Sequence, residues 1–321
     1  MDGVVGCVGD LLVEIMRENV GDPLGEPGIF LGPFPSGASG IFIDAVARLG
    51  TSARFVGAVG NDDFGDLIIN RFKDDGVDTS QIKIMDDFTT GVAFVTYFND
   101  GSRKFIYHIP RAATGQIFPE DIDPVVFSDM SYLHIAGSTM SMNRHSAQAC
   151  MKAIELVTGS GGKISFDPNF RPELISESEI QESFFPVIKK SQLIFPTEGE
   201  IAVLTGEKNL SKACGKLFEM GPEIIAIKQG KRGSTVYKGD EKISVPAFKV
   251  EEVDPTGAGD CYCAGFLNGI MRGLDIKDAA TLANAVGALA VTRKGPMEGA
   301  PTLKEAQTLI QRTVKRLSGT A

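Results

Sequence analysis

Asp254-Pro255-Thr256-Gly257-Ala258-Gly259-Asp260 is the stretch on which the reading of this chain turns. It follows a strand-like run over 243–253 and opens an apolar, glycine-dotted segment over 261–274 with the composition of a helix. A turn of small residues feeding a helix N-terminus aims several backbone N–H groups at one point, and the helix dipole adds partial positive charge there. Such a point suits a phosphate or another anion. Asp260 stands at its mouth, where a carboxylate is electrostatically unfavourable unless it does chemistry, such as taking a proton from an attacking hydroxyl. The pattern predicts phosphoryl transfer with Asp260 as the base. An ordinary strand–turn–helix connection in which Asp260 caps the helix is the alternative.

Composition narrows the class. The chain has 321 residues, 43% of them hydrophobic, which is enough for a large buried core and too many for a disordered chain. No apolar run approaches the ~18 residues of a membrane span. The start, Met1-Asp2-Gly3-Val4-Val5-Gly6, lacks the basic stretch of a signal peptide and reads as a first strand. Cys7, Cys150, Cys214, Cys261 and Cys263 form no Cys-x-x-Cys pair. Reduced, buried thiols in a cytoplasmic protein are therefore expected, with neither zinc nor a disulfide framework. The net charge of −9 argues against nucleic-acid binding. It leaves room for ATP, because a local cradle can be positive on an acidic protein.

Along the chain, short apolar runs over 4–8, 53–59, 132–135, 163–167, 193–195 and 224–228 alternate with amphipathic stretches over 39–49, 63–75, 144–158, 199–205 and 208–220. This rhythm predicts a mostly parallel sheet covered by helices on both faces. The C-terminal third reads as helical over 275–293 and 303–317. Two segments break the rhythm. Residues 11–34 are rich in Gly and Pro, and 89–110 reads as a hairpin turning at Asn99-Asp100-Gly101. Both are assigned to a small antiparallel β lid inserted in one α/β domain spanning 1–321.

The common nucleotide fingerprints are absent. Gly162-Lys163-Ile164 is no Walker A loop, and Gly3-Val4-Val5-Gly6-Cys7-Val8-Gly9 is not Gly-x-Gly-x-x-Gly. The turn at 254–260 instead resembles the signature of the PfkB/ribokinase family of small-molecule kinases. Four further regions, spanning most of the chain, resemble the same family. They are Asp10 after the first strand; Pro35-Ser36-Gly37-Ala38-Ser39-Gly40 with the later Gly60-Asn61-Asp62; Asp167-Pro168-Asn169-Phe170-Arg171 with Pro196-Thr197-Glu198-Gly199-Glu200; and Lys228-Gln229-Gly230-Lys231-Arg232-Gly233 with the segment from Asn284.

The resemblance implies a three-layer α/β/α sandwich with a small β lid, and an ATP-dependent sugar kinase that phosphorylates a primary hydroxyl. The turn residues Gly257, Ala258 and Gly259 would cradle the transferred group beside Asp260. Asp10, Gly37, Tyr107, Arg111 and Arg171 would contact the sugar. Thr197, Lys228, Gly230, Gly233, Gly257, Gly259 and Asn284 would hold ATP, with Glu200 reaching Mg2+ through water and Asp254 and Thr256 flanking a monovalent cation such as K+. Ile41 departs from the Asn usual in the family and weakens a ribose-specific reading. Tyr107 matches the 2-keto-3-deoxygluconate kinase branch, but that branch's Arg aligns with Ile109, two residues before Arg111. Hexose, ketose and keto sugar acid remain open as substrates, with nucleoside kinase and a catalytically idle sugar sensor as alternatives. The exposed strand edges of the lid predict a homodimer joined through it.

Overall fold

The computed structural model describes residues 3–100 and 102–317. Met1 and Asp2 of the expected first strand, and Gly101 of the expected hairpin turn, lie outside the described residues. Thirteen strands are present among the described residues: β1 Val4–Val8, β2 Leu12–Arg17, β3 Phe30–Ser36, β4 Ser52–Gly60, β5 Val77–Met85, β6 Gly91–Tyr97, β7 Arg103–His108, β8 Met130–Ala136, β9 Lys163–Asp167, β10 Leu193–Ile194, β11 Ile224–Lys228, β12 Ser234–Lys238 and β13 Glu241–Val245.

Nine of them form one sheet in the order β13-β12-β11-β10-β9-β8-β1-β4-β5. It is parallel from β11 to β5, with β12 and β13 added antiparallel at one edge. Its central strands are buried on both faces, as parallel strands covered by helices must be, while β5 and β13 at the two edges are partly exposed. Along β1, Val5 and Cys7 enter one core with the helices Ala38–Arg48, Ala258–Met271 and Ile276–Ala290, whereas Val8 enters the other core with the helices Arg144–Gly159 and Glu177–Ile188. Period-two alternation thus serves two apolar layers at once. The five cysteines are free and buried.

The remaining four strands form the second, small sheet, in the order β3-β2-β6-β7. Expected as antiparallel, it is mixed: β2–β3 and β6–β7 are antiparallel, but β2 and β6 run parallel. Two separated hairpin-like segments therefore meet edge to edge.

Two boundaries differ from expectation in ways that matter. The strand read over 243–253 ends at Val245, because Pro246 has no N–H with which to continue the ladder. The helix read over 261–274 begins at Ala258, so Asp260 lies inside its first turn rather than ahead of it. The strand β5 and the helix Glu177–Ile188 had no counterpart in the sequence pattern. Among the described residues, no helix is long and apolar enough to cross a membrane.

Candidate active site

Between the carboxyl ends of the parallel strands and the small sheet lies a cavity of about 460 Å³. This is where ligands bind in open α/β sheets. Its floor contains Gly257, Gly259 and Asp260, and its other walls include Asp10, Gly37, Tyr107, Arg171, Thr197, Glu200, Lys228, Gly230 and Thr256. Residues spread over 250 positions of sequence thus converge on one space.

Gly257 is the N-cap of the helix Ala258–Met271, with φ 77°, and a Cβ there would come within 2.4 Å of the Pro296 carbonyl oxygen. Glycine is required by both backbone conformation and contact. The first-turn N–H groups of a helix have no intrahelical acceptor, so this turn offers donors to an anion in the cavity. Asp260, half-buried, receives the Asn169 side-chain amide on Oδ1 at 3.1 Å. Loss of hydration, with the charge of Asp167 added, raises its pKa to about 7, while Lys228 and Arg171 pull the other way. A carboxyl poised near neutrality suits a general base.

Asn169 itself has φ 38°, a left-handed conformation that Asn tolerates better than most residues, and its Oδ1 is buried with no hydrogen-bond partner. Lys228 Nζ bonds Asp167 Oδ2 at 2.5 Å. Burial disfavours the ammonium of Lys228, but the Asp167 carboxylate outweighs it and holds the pKa above the usual lysine value. Lys228 is therefore a fixed positive charge in the cavity wall.

Asp10 holds a helix as well as lining the cavity. Its Oδ2 accepts the Ala38 N–H at 3.0 Å, and its Oδ1 accepts Ser39 N–H at 3.3 Å and the Thr139 hydroxyl at 3.0 Å. It thereby caps the helix Ala38–Arg48, whose own N-cap, Gly37, has no side chain for the task. Gly37 is glycine chiefly for internal reasons: with φ 108°, a Cβ would lie 2.3 Å from the Asp10 carbonyl oxygen. Glu200 is similarly occupied, accepting Phe170 N–H at 2.9 Å on Oε1 and Thr197 N–H at 2.7 Å on Oε2. Each oxygen keeps a second lone pair for a water. Asp254 lies behind the cavity; its carboxylate accepts N–H groups of Thr256 and Gly295 and the Thr256 hydroxyl. That side chain has little left for a cation. Among the described residues, no group of three or more His, Cys, Asp or Glu could hold a metal directly.

Besides Asp254, four residues named from the sequence stand away from the cavity. Arg111 lies beyond the end of β7 and is exposed. Gly233 closes the turn before β12 through its N–H to Gly230. Asn284 ties its helix to the end of β13 by donating to the Val245 carbonyl at 3.0 Å. Ala258 forms the helix start without lining the cavity.

The small sheet contributes residues the sequence reading passed over. On β7, Arg103, Phe105 and Tyr107 alternate onto the cavity face, opposite Tyr97, Val95 and Ala93 of β6. His108 consequently faces away and packs edge-on against Phe94. On β2, Glu14 lines the cavity 6% exposed; its Oε1 accepts the Ser36 hydroxyl at 2.8 Å, and its Oε2 is buried without a partner. Burial, with a smaller push from Asp254, raises its pKa to about 7 against the Ser36 hydrogen bond. An acid inside the apolar run Leu12-Val13-Glu14-Ile15-Met16 was the available signal. For Arg103 the signal was its two-residue phase with Tyr107.

A doubly covered parallel sheet, a helix start with free N–H groups beside a half-buried carboxyl, and a small sheet over both define a ribokinase-like small-molecule kinase. The model of the pfkB family of carbohydrate kinases matches residues 41–303. Fructokinase-2 of Zea mays is 30% identical over 318 residues, covering 96% of this chain and 94% of the relative. The chain belongs to the pfkB family and is a phosphotransferase with an alcohol group as acceptor. Among solved structures, an E. coli protein provisionally named ribokinase II, in complex with ATP and Mg2+, has TM-score 0.91 at 41% identity, covering 97% of this chain and 99% of that one. Fructokinase from Vibrio cholerae O395, bound to fructose, ADP and calcium, has TM-score 0.83 at 26% identity, covering 96% and 99%.

Proposed function

We propose that this kinase transfers the γ-phosphoryl group of ATP to a primary hydroxyl of a small polyhydroxy sugar, with Asp260 as general base. The observation that carries the reading is the Asp260 carboxyl in the first turn of the helix Ala258–Met271, half-buried in the cavity wall with a pKa near 7. Asp260 takes the hydroxyl proton as the oxygen attacks, and the N–H groups of the turn at 257–260 stabilise the charge on the transferred group. Lys228 and Arg171 add positive charge to the same wall. Magnesium, when bound, neutralises phosphate charge, and Glu200 is the carboxylate that would hold its water. Its free lone pairs, and the lack of a direct multi-carboxylate site among the described residues, fit a sparsely ligated ion. A potassium ion beside 254–256 would rest on backbone carbonyls, and replacing potassium by choline in the assay tests that.

Glu14 supports a neutral sugar, because its unpartnered Oε2 is a strong acceptor for a hydroxyl. Fructose is the acceptor to try first, since relatives carry the name fructokinase. A keto sugar acid is the second reading. It is favoured by Arg103 and Arg171, two cavity-lining guanidiniums that form no ion pair among the described residues. The test is ADP release with ATP and Mg2+ against D-fructose, D-ribose, D-glucose, 2-keto-3-deoxygluconate and adenosine. A fast response to fructose alone supports the neutral reading. A fast response to the sugar acid alone overturns it for the second, and silence across the panel counts against both.

The same reading includes a homodimer through the outer face of the small sheet, where Phe94 and the exposed Ile106 sit side by side. Sedimentation as a monomer at micromolar concentration would remove it.

A further inference from the structure

Tyr97 is the last residue of β6, in the small sheet, yet its hydroxyl reaches the turn that starts the anion cradle. It hydrogen-bonds the Thr256 hydroxyl and lies 3.2 Å from Asp254 Oδ1. Thr256 Oγ1 is in turn 2.8 Å from the same Asp254 oxygen, which also accepts the Thr256 N–H at 3.0 Å. Two hydroxyl protons and one buried carboxylate oxygen thus form a closed triangle. Each hydroxyl carries one proton, so one of them donates to the other and the remaining one donates to Asp254.

The surroundings make this contact a junction of three segments. Asp254 Oδ2 accepts the Gly295 N–H at 2.9 Å, and Lys294 Nζ sits 5.8 Å from the centre of the Tyr97 ring. The next residue, Pro296, presses its carbonyl against Gly257. On the sheet side, the Tyr97 carbonyl accepts the Gly21 N–H at 2.8 Å, and Thr96 Oγ1 donates to the Asp22 carbonyl at 2.7 Å. Tyr97 therefore cannot shift without the strand end moving with it. Its hydroxyl ties the small sheet to Asp254 and Thr256, and through them to Gly257 and the cradle.

Building on the kinase reading, we propose that Tyr97 is a positioning residue that couples the seating of the small sheet over the cavity to the geometry of the cradle. With the sheet seated, the triangle is complete and the turn at 254–257 is held in the conformation that aims its N–H groups at the cavity. With the sheet lifted, Asp254 and Thr256 lose the Tyr97 hydroxyl in a buried site and the turn loosens. Closure over the acceptor would then assemble the catalytic geometry as well as exclude water.

The test is hydrogen–deuterium exchange on the full-length protein without any acceptor, so the result does not depend on which sugar is the substrate. Tyr97→Phe, which keeps the ring and removes the hydroxyl, should speed exchange across 255–260 and at Gly295 by about threefold to tenfold, the scale of one net hydrogen bond. Thr256→Val should do the same, and the double variant should fall short of the product of the two single effects, because the hydroxyls share one network. Turnover with the fastest acceptor of the panel above should show Tyr97→Phe lowering kcat by about tenfold at an ATP KM changed less than about twofold. Unchanged exchange over 255–260, strictly additive effects, or a change confined to the acceptor KM would overturn the proposal. A purely structural role in the sheet predicts faster exchange in β6 and β7 alone.

Discussion

Asn169 Nδ2 donates to Asp260 Oδ1 across 3.1 Å, joining the end of the sheet to the first turn of the helix Ala258–Met271. The donor comes from a residue held at φ 38°, and backbone strain of this kind clusters at functional sites. A hydrogen bond to a carboxylate favours its charged form. Asn169→Ala should therefore move the acidic limb of the kcat/KM profile to higher pH and lower turnover at pH 7 by about tenfold. A pH profile superimposable on the wild type would sink this assignment.

Asp260→Asn should separate stability from turnover. The Asp260 carboxyl titrates near 7 in the folded protein against an ordinary 3.8, so the folded state keeps a proton that the unfolded chain has released between these values. Stability from this group is present below about pH 4 and is lost as pH rises towards 7. The Asn variant escapes that loss. Its Tm should exceed the wild type's above pH 7, with the difference shrinking towards pH 4, while turnover falls by ~10²–10⁴. Thermal melts from pH 4 to 8 alongside ADP release check both halves.

Glu14→Gln keeps the shape of a buried side chain but removes the charged acceptor at Oε2. Lost hydrogen bonds to a charged group cost about 1.5–3 kcal/mol, so the acceptor KM should rise by about tenfold to a hundredfold with the ATP KM unchanged. Equal effects on both substrates would mean that Glu14 supports the small sheet instead.

Arg103 and Arg111 make a matched pair of tests. Arg111→Ala, at an exposed position beyond β7, should leave both Michaelis constants within about twofold, since surface substitutions rarely cost more than ~0.5 kcal/mol. Arg103→Ala opens the cavity wall opposite Tyr97 and should weaken the acceptor. Steady-state kinetics showing the reverse order would restore Arg111 as the substrate-facing residue.

Local signals in the chain were strong where one segment carried its own geometry. The turn at 254–260, the helix at 63–75 and the strands at 4–8 and 163–167 follow from spacing, glycine content and apolar runs, and they are found with those or nearly those bounds. β5 was missed because its residues, Val77-Asp78-Thr79-Ser80-Gln81-Ile82-Lys83-Ile84-Met85, are those of a half-exposed edge with too little apolar content to stand out. Arg111 is named in the sequence by its place after the hairpin and by the Tyr and Arg of the sugar-acid branch, whereas Arg103 drew no attention. In a strand, however, facing is set by steps of two, and the strand ends at His108.

By itself the sequence determined the class, an α/β kinase resembling the pfkB family, because the glycine turn at 254–260 and the other motifs that carry the resemblance are each contained in one short stretch of chain. The tertiary structure alone decided which groups share the cavity. Glu14, Tyr97, Arg103 and Asn169 reach it through the pairing of β2 with β6, the two-residue phase of β7 and the left-handed turn after β9. Those are relations between distant segments. The two pKa values near 7, at Glu14 and Asp260, belong to the same category. They arise from burial and from neighbouring charges that only folding brings together.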